Sequence, residues 1–321
     1  MIGQIYLRLL LGVILLGAVG ACSKSPVEEV TDAVDEALNL LSQTTPNCQK
    51  AIEVLEKIGR QNKDARYLSI LASAYACRGG FSELTLFAEV STIDSDFDDF
   101  LGSLTMLSEA AETEADSDRF TDLQTAIDIM LYAGSKAVPS AVDQKEIFGN
   151  RHGGNMNLQT LYMIMIQLGR FARWYGNTDD TGNKGTGPSG NVCFMDYTGA
   201  AAVSATSHAS NACNAANAGH PNLDYATVTS AVAQKRLCQG AMLVNNMLDI
   251  LENTTFSSNS SLGNISNIYA QIEPYITLIS ADPDMAAFLE NRSQAACVTD
   301  AAADDENLQN YFAVVFERAL P

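Results

Sequence analysis

Residues 158–175 read LQTLYMIMIQLGRFARWY, and this stretch decides the fold class. Apolar side chains recur in it with the period of an α-helix. Met163, Ile164 and Ile166 fill positions between them, so the predicted helix is apolar nearly all round, as helices buried among other elements are. We therefore expect a central helix whose main face carries Leu158, Leu161, Tyr162, Met165, Leu168 and Tyr175.

The same helical period extends over most of the chain, and the alternation typical of β-strands is scarce. It predicts further helices over residues 30–40, 47–60, 64–78, 120–131, 237–251 and 308–316. Short connections make neighbouring helices antiparallel. The sequence therefore predicts an all-α protein of antiparallel helical hairpins, arranged as a repeat-like array or as a helical bundle.

One stretch carries a more specific pattern. Residues 68–87 read LSILASAYACRGGFSELTLF, and Gly79 and Phe81 fall where a turn ends and a second helix begins. The first-helix packing positions are held by Leu68, Leu71, Ala72 and Tyr75. With these residues, the hairpin at about residues 47–90 resembles a tetratricopeptide repeat. The resemblance implies stacked hairpins with a concave face for peptides or partner proteins.

The match to this repeat family has departures. Leu68 stands where the family has Trp, Leu84 replaces the small residue of the second helix, and the large aromatic residue is displaced to Phe87. No second copy is evident at the repeat period. An ordinary α-hairpin therefore stays open as the alternative.

The helical pattern is interrupted over residues 177–222, which is far longer than a usual connection. The interruption is rich in Gly, Asn, Ala and Ser and contains Cys193 and Cys213. A disulfide-braced loop is one interpretation, and a disordered insertion is the other. We expect an N-terminal helical unit over 28–176, this loop, and a C-terminal helical unit over 223–321.

The N-terminus has the pattern of an export signal. Arg8 precedes an apolar run that ends in small residues, which is typical of residues removed after secretion. The residues Val19-Gly20-Ala21-Cys22 resemble the lipobox of bacterial lipoproteins. The resemblance implies a signal peptide over 1–21, acyl chains on Cys22, and a tether over 22–27. The alternative is an uncleaved anchor, although the apolar run is short beside the about 20 residues of a spanning helix.

The other cysteines are even in number and are expected in a compartment that permits disulfides. Cys48 begins one predicted helix and Cys77 ends the next, so an antiparallel hairpin brings them together and we predict a bridge between them. For the remaining four we predict Cys193 with Cys213 and Cys238 with Cys297. A zinc site is the competing interpretation, but the spacing typical of zinc ligands is missing from the sequence.

Charge limits the classes of partner. The chain has a formal net charge of −19, which repels phosphate backbones and disfavours nucleic-acid binding. We expect two contacts instead: a membrane through the lipid anchor, and a protein or peptide in the envelope. Ser23 follows the lipidated cysteine and favours the outer membrane, with the protein facing the periplasm.

Several motifs in the sequence are candidates for ligand-binding or catalytic sites. Residues 185–190 fit GxGxxG, but no predicted strand precedes them. The acidic run 94–99 begins like a calcium loop but lacks its Gly and its final Glu. His152, His208 and His220 are placed in predicted loops and interpreted as solvated. We therefore expect no cofactor and no metal ion, and the catalytic residues stay unassigned.

Two functions remain open at this stage. The first is a lipid-anchored periplasmic module that binds a protein, peptide or ligand, or that takes part in envelope assembly or transport. The second is a periplasmic enzyme whose site is assembled by folding from dispersed acids and histidines.

Overall fold

The computed structural model describes residues 25–81, 97–107, 117–187, 189–198, 213, 218–224, 229–254, 283–303 and 305–320, with isolated positions between 270 and 280. Within these residues the chain forms ten α-helices and no β-strand, which confirms the all-α prediction. The contacts divide the chain into two compact units, residues 1–60 and residues 61–321.

The first unit contains two helices that pack on each other, α1 (Pro26–Leu41) and α2 (Cys48–Lys57). Ser25 caps α1, and the Glu28 side chain accepts a hydrogen bond from the Ser25 backbone N–H at 2.8 Å, so two N–H groups at this helix end are satisfied. Asn47 caps α2 by accepting from the Lys50 N–H. The predicted apolar stripes face inward, with Ala33, Val34, Ala37, Ala51, Ile52 and Leu55 buried.

The second unit begins with α3 (Ala65–Arg78), α4 (Phe97–Thr105) and α5 (Asp118–Leu131). Helix α3 ends at Gly79, as the sequence predicts, and packs closely on α5. Leu68, Leu71 and Ala72 of the repeat-like pattern are buried on α3. Leu84 and Phe87 lie outside the described residues, so the resemblance to a repeat stays a prediction.

Helix α6 (Ala141–Tyr175) is the central element of this unit. It packs against α3, α4, α5 and the long helix α7 (Ser230–Glu252). All residues from 160 to 172 are buried, which confirms the central helix expected from the sequence. The helix begins well before the predicted stretch and is broken at Gly149.

Three shorter helices complete the unit: α8 (Pro283–Glu290), α9 (Gln294–Ala303) and α10 (Asp305–Val315). Helix α9 packs on α7 and is joined to it by a disulfide between Cys238 and Cys297. Helix α10 packs on α8 and α9, and its Tyr311 hydroxyl donates to Asn245 Oδ1 of α7 at 2.7 Å. Buried polar groups thus fix these helices in register.

The described parts of the long loop belong to the protein interior. Asn177, Asn191, Phe194 and Met195 are buried, and Cys193 is joined to Cys213. Asn191 Nδ2 donates to the Tyr175 carbonyl at 2.9 Å, which ties the loop to the end of α6. The disulfide-braced interpretation therefore holds for the part of the loop that the structure describes, and both of its flanks belong to the second unit.

Candidate ligand-binding site

A pocket of about 550 Å³ lies between the start of α3 and the break in α6. Its polar lining includes Lys63, Arg66, His152 and Asn155. Its apolar lining is formed by Ile147, Phe148 and Met156. Pockets of small-molecule sites are in the range of about 300–1,000 Å³, so the volume suits a small ligand. We call this site the α3–α6 pocket.

The start of α3 brings two cationic side chains to the pocket. Asp64 is the N-cap of this helix, and its carboxylate accepts from the Tyr67 N–H at 3.0 Å. Lys63 precedes the cap and Arg66 follows it in the first turn. Because the Asp64 carboxylate is held by the helix end, Lys63 is the charge that this wall offers to a ligand.

The opposite wall is shaped by the break in α6. Gly149 has φ +80° and ψ 153°, a backbone region that is essentially restricted to glycine. After the break, Gly153 lies so close to the first segment that an added Cβ would stand 2.5 Å from the Gln144 carbonyl oxygen. Asn157 Nδ2 also donates to the Ala141 carbonyl at 2.9 Å. The two segments of α6 are therefore held close together.

The break leaves apolar side chains at the pocket surface. Ile147 is 39% exposed and Phe148 is half-buried, while Met156 beneath them is 1% exposed. Beside them, His152 and Asn155 are exposed on the second segment of α6. The side chains of Lys63, His152 and Asn155 make no hydrogen bond or ion pair with any residue that the structure describes. The pocket therefore combines available polar groups with an apolar wall.

A second cluster lies at the other end of α6, around Glu317. This carboxylate is 1% exposed and pairs with Lys184 Nζ at 2.6 Å. It also accepts from the Phe194 N–H at 2.7 Å and from the Tyr197 hydroxyl at 2.8 Å. Burial and the Glu317 charge raise the pKa of Tyr197 well above its usual value. All three groups that donate to this carboxylate belong to the protein itself, as in a structural ion pair.

The donor atoms of this cluster decide whether it could bind a metal ion. The sulfurs of Cys193 and Cys213 and a carboxylate oxygen of Glu317 lie within 4.8 Å of one another. The two sulfurs are joined at 2.08 Å, whereas a metal ligand must be a free thiolate. In the disulfide form the group is a brace for the loop.

Aromatic side chains surround this end of α6. Phe312 stacks on Phe316 with ring centroids 4.3 Å apart, and Phe171 and Phe194 complete the cluster. His220 packs on the edge of Tyr175 at 5.1 Å and near Trp174 at 5.6 Å. Desolvation and the Arg236 charge lower the pKa of His220 to about 4, so this imidazole is neutral at pH 7.

The histidine predictions need correction. His152 lies on α6 rather than in a loop, because the helix begins at Ala141. His220 is in a loop but is 3% exposed, because that loop packs over Trp174 and Tyr175. At about 1.5 Å per residue, the histidine of the pocket is about 35 Å along α6 from Tyr175 and its neighbour His220. His208 lies outside the described residues.

The cysteines predicted to form bridges are all disulfide-bonded in the structure. Cys193 is joined to Cys213 and Cys238 to Cys297, with Cα atoms 5.8 and 5.7 Å apart. Cys48 and Cys77 are each disulfide-bonded. Cys22 and the acidic run at 94–96 lie outside the described residues. Within residues 185–190, Gly185 and Gly190 have positive φ and no regular element forms in the described part.

One carboxyl group outside both clusters has an unusual proton affinity. Asp128 is on α5, where Gln124 donates to it at 3.0 Å. Desolvation outweighs this hydrogen bond and raises the pKa of Asp128 to about 6. Burial of the Tyr132 hydroxyl, together with the Asp128 charge, raises the pKa of Tyr132.

No protein-family model, curated protein or solved structure matches this chain. Within the described residues, no helix combines the length and apolar character needed to cross a membrane.

Proposed function

We propose that this chain is a lipoprotein of the bacterial envelope, held to a membrane by acyl chains on Cys22, and that it acts as a helical binding module. The observation that carries the binding function is the α3–α6 pocket, where Lys63 and His152 are available beside an apolar wall. We place the protein at the outer membrane, facing the periplasm.

The disulfides support an exported protein. Cys193, Cys213, Cys238 and Cys297 form two bridges, and Cys48 and Cys77 are also disulfide-bonded. Disulfides persist in oxidising compartments such as the periplasm and are rare in the cytosol. This agrees with the pattern of an export signal in the sequence, in which Cys22 is the cysteine that directly follows the apolar segment.

The anchor is tested by mass spectrometry of the mature chain and by fractionation. We expect a mature N-terminus at Cys22 carrying acyl chains, and we expect Cys22→Ser to release the chain from the membrane fraction or to stall its processing. Ser23→Ala is the matched control and should leave fractionation unchanged. A normally processed, membrane-bound Cys22→Ser variant would contradict the proposal.

The binding function is tested by capture from detergent-solubilised envelope with the full chain. A partner or ligand that is retained by the native protein and lost with Phe148→Ala would support a module that acts through the pocket. Equal retention by both proteins would place binding elsewhere and reject the pocket as its site.

A second candidate function is a periplasmic enzyme. The observation that favours it is that an acid and a histidine, Asp64 and His152, line the same pocket. The two functions are separated by recovering the captured small molecule after incubation. An unchanged molecule supports a binding module, whereas conversion that is lost with His152→Ala supports the enzyme.

A further inference from the structure

We infer that the ligand of the α3–α6 pocket is a small molecule with a carboxylate or phosphate group on an apolar chain. This inference rests on the proposed function, since it names the ligand class of the same pocket. It is carried by the juxtaposition of Lys63 with Ile147, Phe148 and Met156.

The sign of the charge comes from the pocket wall rather than from the protein as a whole. The chain has a net charge of −19, so its average field repels anions. At the pocket, the one carboxylate of the lining is Asp64, which accepts from the Tyr67 N–H at the positive end of the α3 dipole. The ammonium of Lys63 has no ion pair among the described residues. An anion bound here supplies the missing counter-charge.

Polar groups on both walls of the pocket match the rest of such a head group. Asn155 on α6 offers an amide donor, and Ser69 is on α3, one turn after Arg66. Carboxylate and phosphate oxygens accept several hydrogen bonds at once, and bonds to charged acceptors are stronger than neutral ones. The Lys63 side of the pocket is thus suited to an oxyanion.

The apolar wall sets the other half of the ligand. Ile147 and Phe148 end the first segment of α6 and are held at the surface by the break at Gly149. A ligand chain lying over them and over Met156 removes this surface from water, which favours binding. A purely ionic ligand would leave that wall uncovered. The volume of about 550 Å³ suits a small molecule.

The test is calorimetric titration of the full, detergent-solubilised chain at low salt with three probes: octanoate, octanamide and acetate. Octanamide removes the charge and acetate removes the chain. We expect octanoate to bind with a dissociation constant below about 1 mM and the other two at least about tenfold more weakly. Added salt should narrow the gap between octanoate and octanamide, because it screens the charges.

Variants then locate the site. Lys63→Met should weaken octanoate binding about tenfold and octanamide binding little. Phe148→Ala should weaken octanoate binding and leave acetate unchanged. Lys235→Met is the matched control, since this lysine is exposed on α7, does not line the pocket, and changes the net charge by the same amount. An equal loss with Lys63→Met and Lys235→Met, or equal affinity for octanoate and octanamide, would overturn the inference.

The outcomes separate the inference from the proposed function. Absence of octanoate binding in a chain that carries acylated Cys22 and still captures an envelope component through the pocket overturns the ligand class alone. A chain without acylated Cys22 overturns the lipoprotein proposal, whether octanoate binds or not. A fourth probe, heptyl phosphate, has the same seven-carbon alkyl chain as octanoate and distinguishes the head groups: tighter binding than octanoate assigns a phosphate ligand, and weaker binding assigns a carboxylate.

Discussion

The two ends of the long helix α6 differ in how they hold charge. At the pocket end, Lys63 is exposed and has no ion pair among the described residues, and the helix is broken at Gly149. At the aromatic end, which we define by Phe171, Phe194, Phe312, Phe316 and Glu317, the Glu317 charge is buried and met by three donors. Saturated interactions stabilise a fold, and unsaturated ones are available to a ligand. On the proposed function, the same helix therefore serves stability at one end and binding at the other.

The largest effect is expected at Glu317. Glu317→Ala leaves Lys184 buried without its counter-charge and removes the acceptor of the Phe194 N–H. Removing one partner of a buried ion pair costs about 3–5 kcal/mol, which urea unfolding measures. Glu290→Ala, at an exposed carboxylate, is the control and should change the free energy of unfolding by less than about 0.5 kcal/mol. Similar losses in the free energy of unfolding for both variants would mean that the Glu317 ion pair does not stabilise the fold.

The disulfide at the aromatic end should matter nearly as much. Cys193 and Cys213 are separated by 20 residues, and on the chain-entropy model a loop of this size contributes roughly 3 kcal/mol. Replacing both with Ala should lower the free energy of unfolding by that amount and leave octanoate affinity at the pocket unchanged. Loss of octanoate binding in a still-folded variant would show that the two ends are coupled.

The buried imidazole of His220 predicts a pH dependence. Its pKa is about 4 in the folded chain against 6.5 for an ordinary histidine, so the unfolded chain binds the proton first as pH falls. Its stabilising contribution is complete above pH 6.5 and is lost between about pH 6.5 and pH 4, by up to about 3 kcal/mol. Unfolding titrations of the native protein and of His220→Asn at these pH values measure it.

Asp128 acts in the opposite direction over part of this range. Its pKa is raised from 3.8 to about 6, so the folded state binds its proton first and becomes more stable as pH falls below about 6. The His220 comparison is therefore made in an Asp128→Asn background. If the slope there is the same with and without His220, the imidazole is not the group that titrates.

The break in α6 provides the finest comparison, between two neighbouring glycines. Gly149 has φ +80° and Gly154 does not have a positive φ, and an added Cβ would meet nothing within 4 Å at either position. Gly149→Ala should cost about 1–3 kcal/mol from backbone strain alone and weaken octanoate binding. Gly154→Ala should stabilise the helix by about 0.5–1 kcal/mol. Equal effects of the two substitutions on unfolding and binding would show that the break at Gly149 contributes to neither.

Periodicity predicted the helices because burial imposes it locally. The stripes of α5, α6, α7 and α10 are buried as expected, and the prediction of Cys238 with Cys297 is confirmed. Two features are not predicted by the periodicity. Glu317 contacts Lys184 and Tyr197, which are more than a hundred residues away in sequence, so no local pattern marks this carboxylate. The pocket joins Lys63 to His152 in the same way, and only the glycines at 149, 153 and 154 hinted at a break.

We propose that one end of α6 binds a ligand and that the other end stabilises the fold. Hydrogen exchange of the full chain with and without octanoate tests this division most directly. We predict slower exchange confined to residues 63–69 and 147–156, with residues 171–177, 191–197 and 309–317 unchanged and already well protected. Protection that appears at residues 171–177 or 191–197 instead, or that is identical with octanamide, would contradict it.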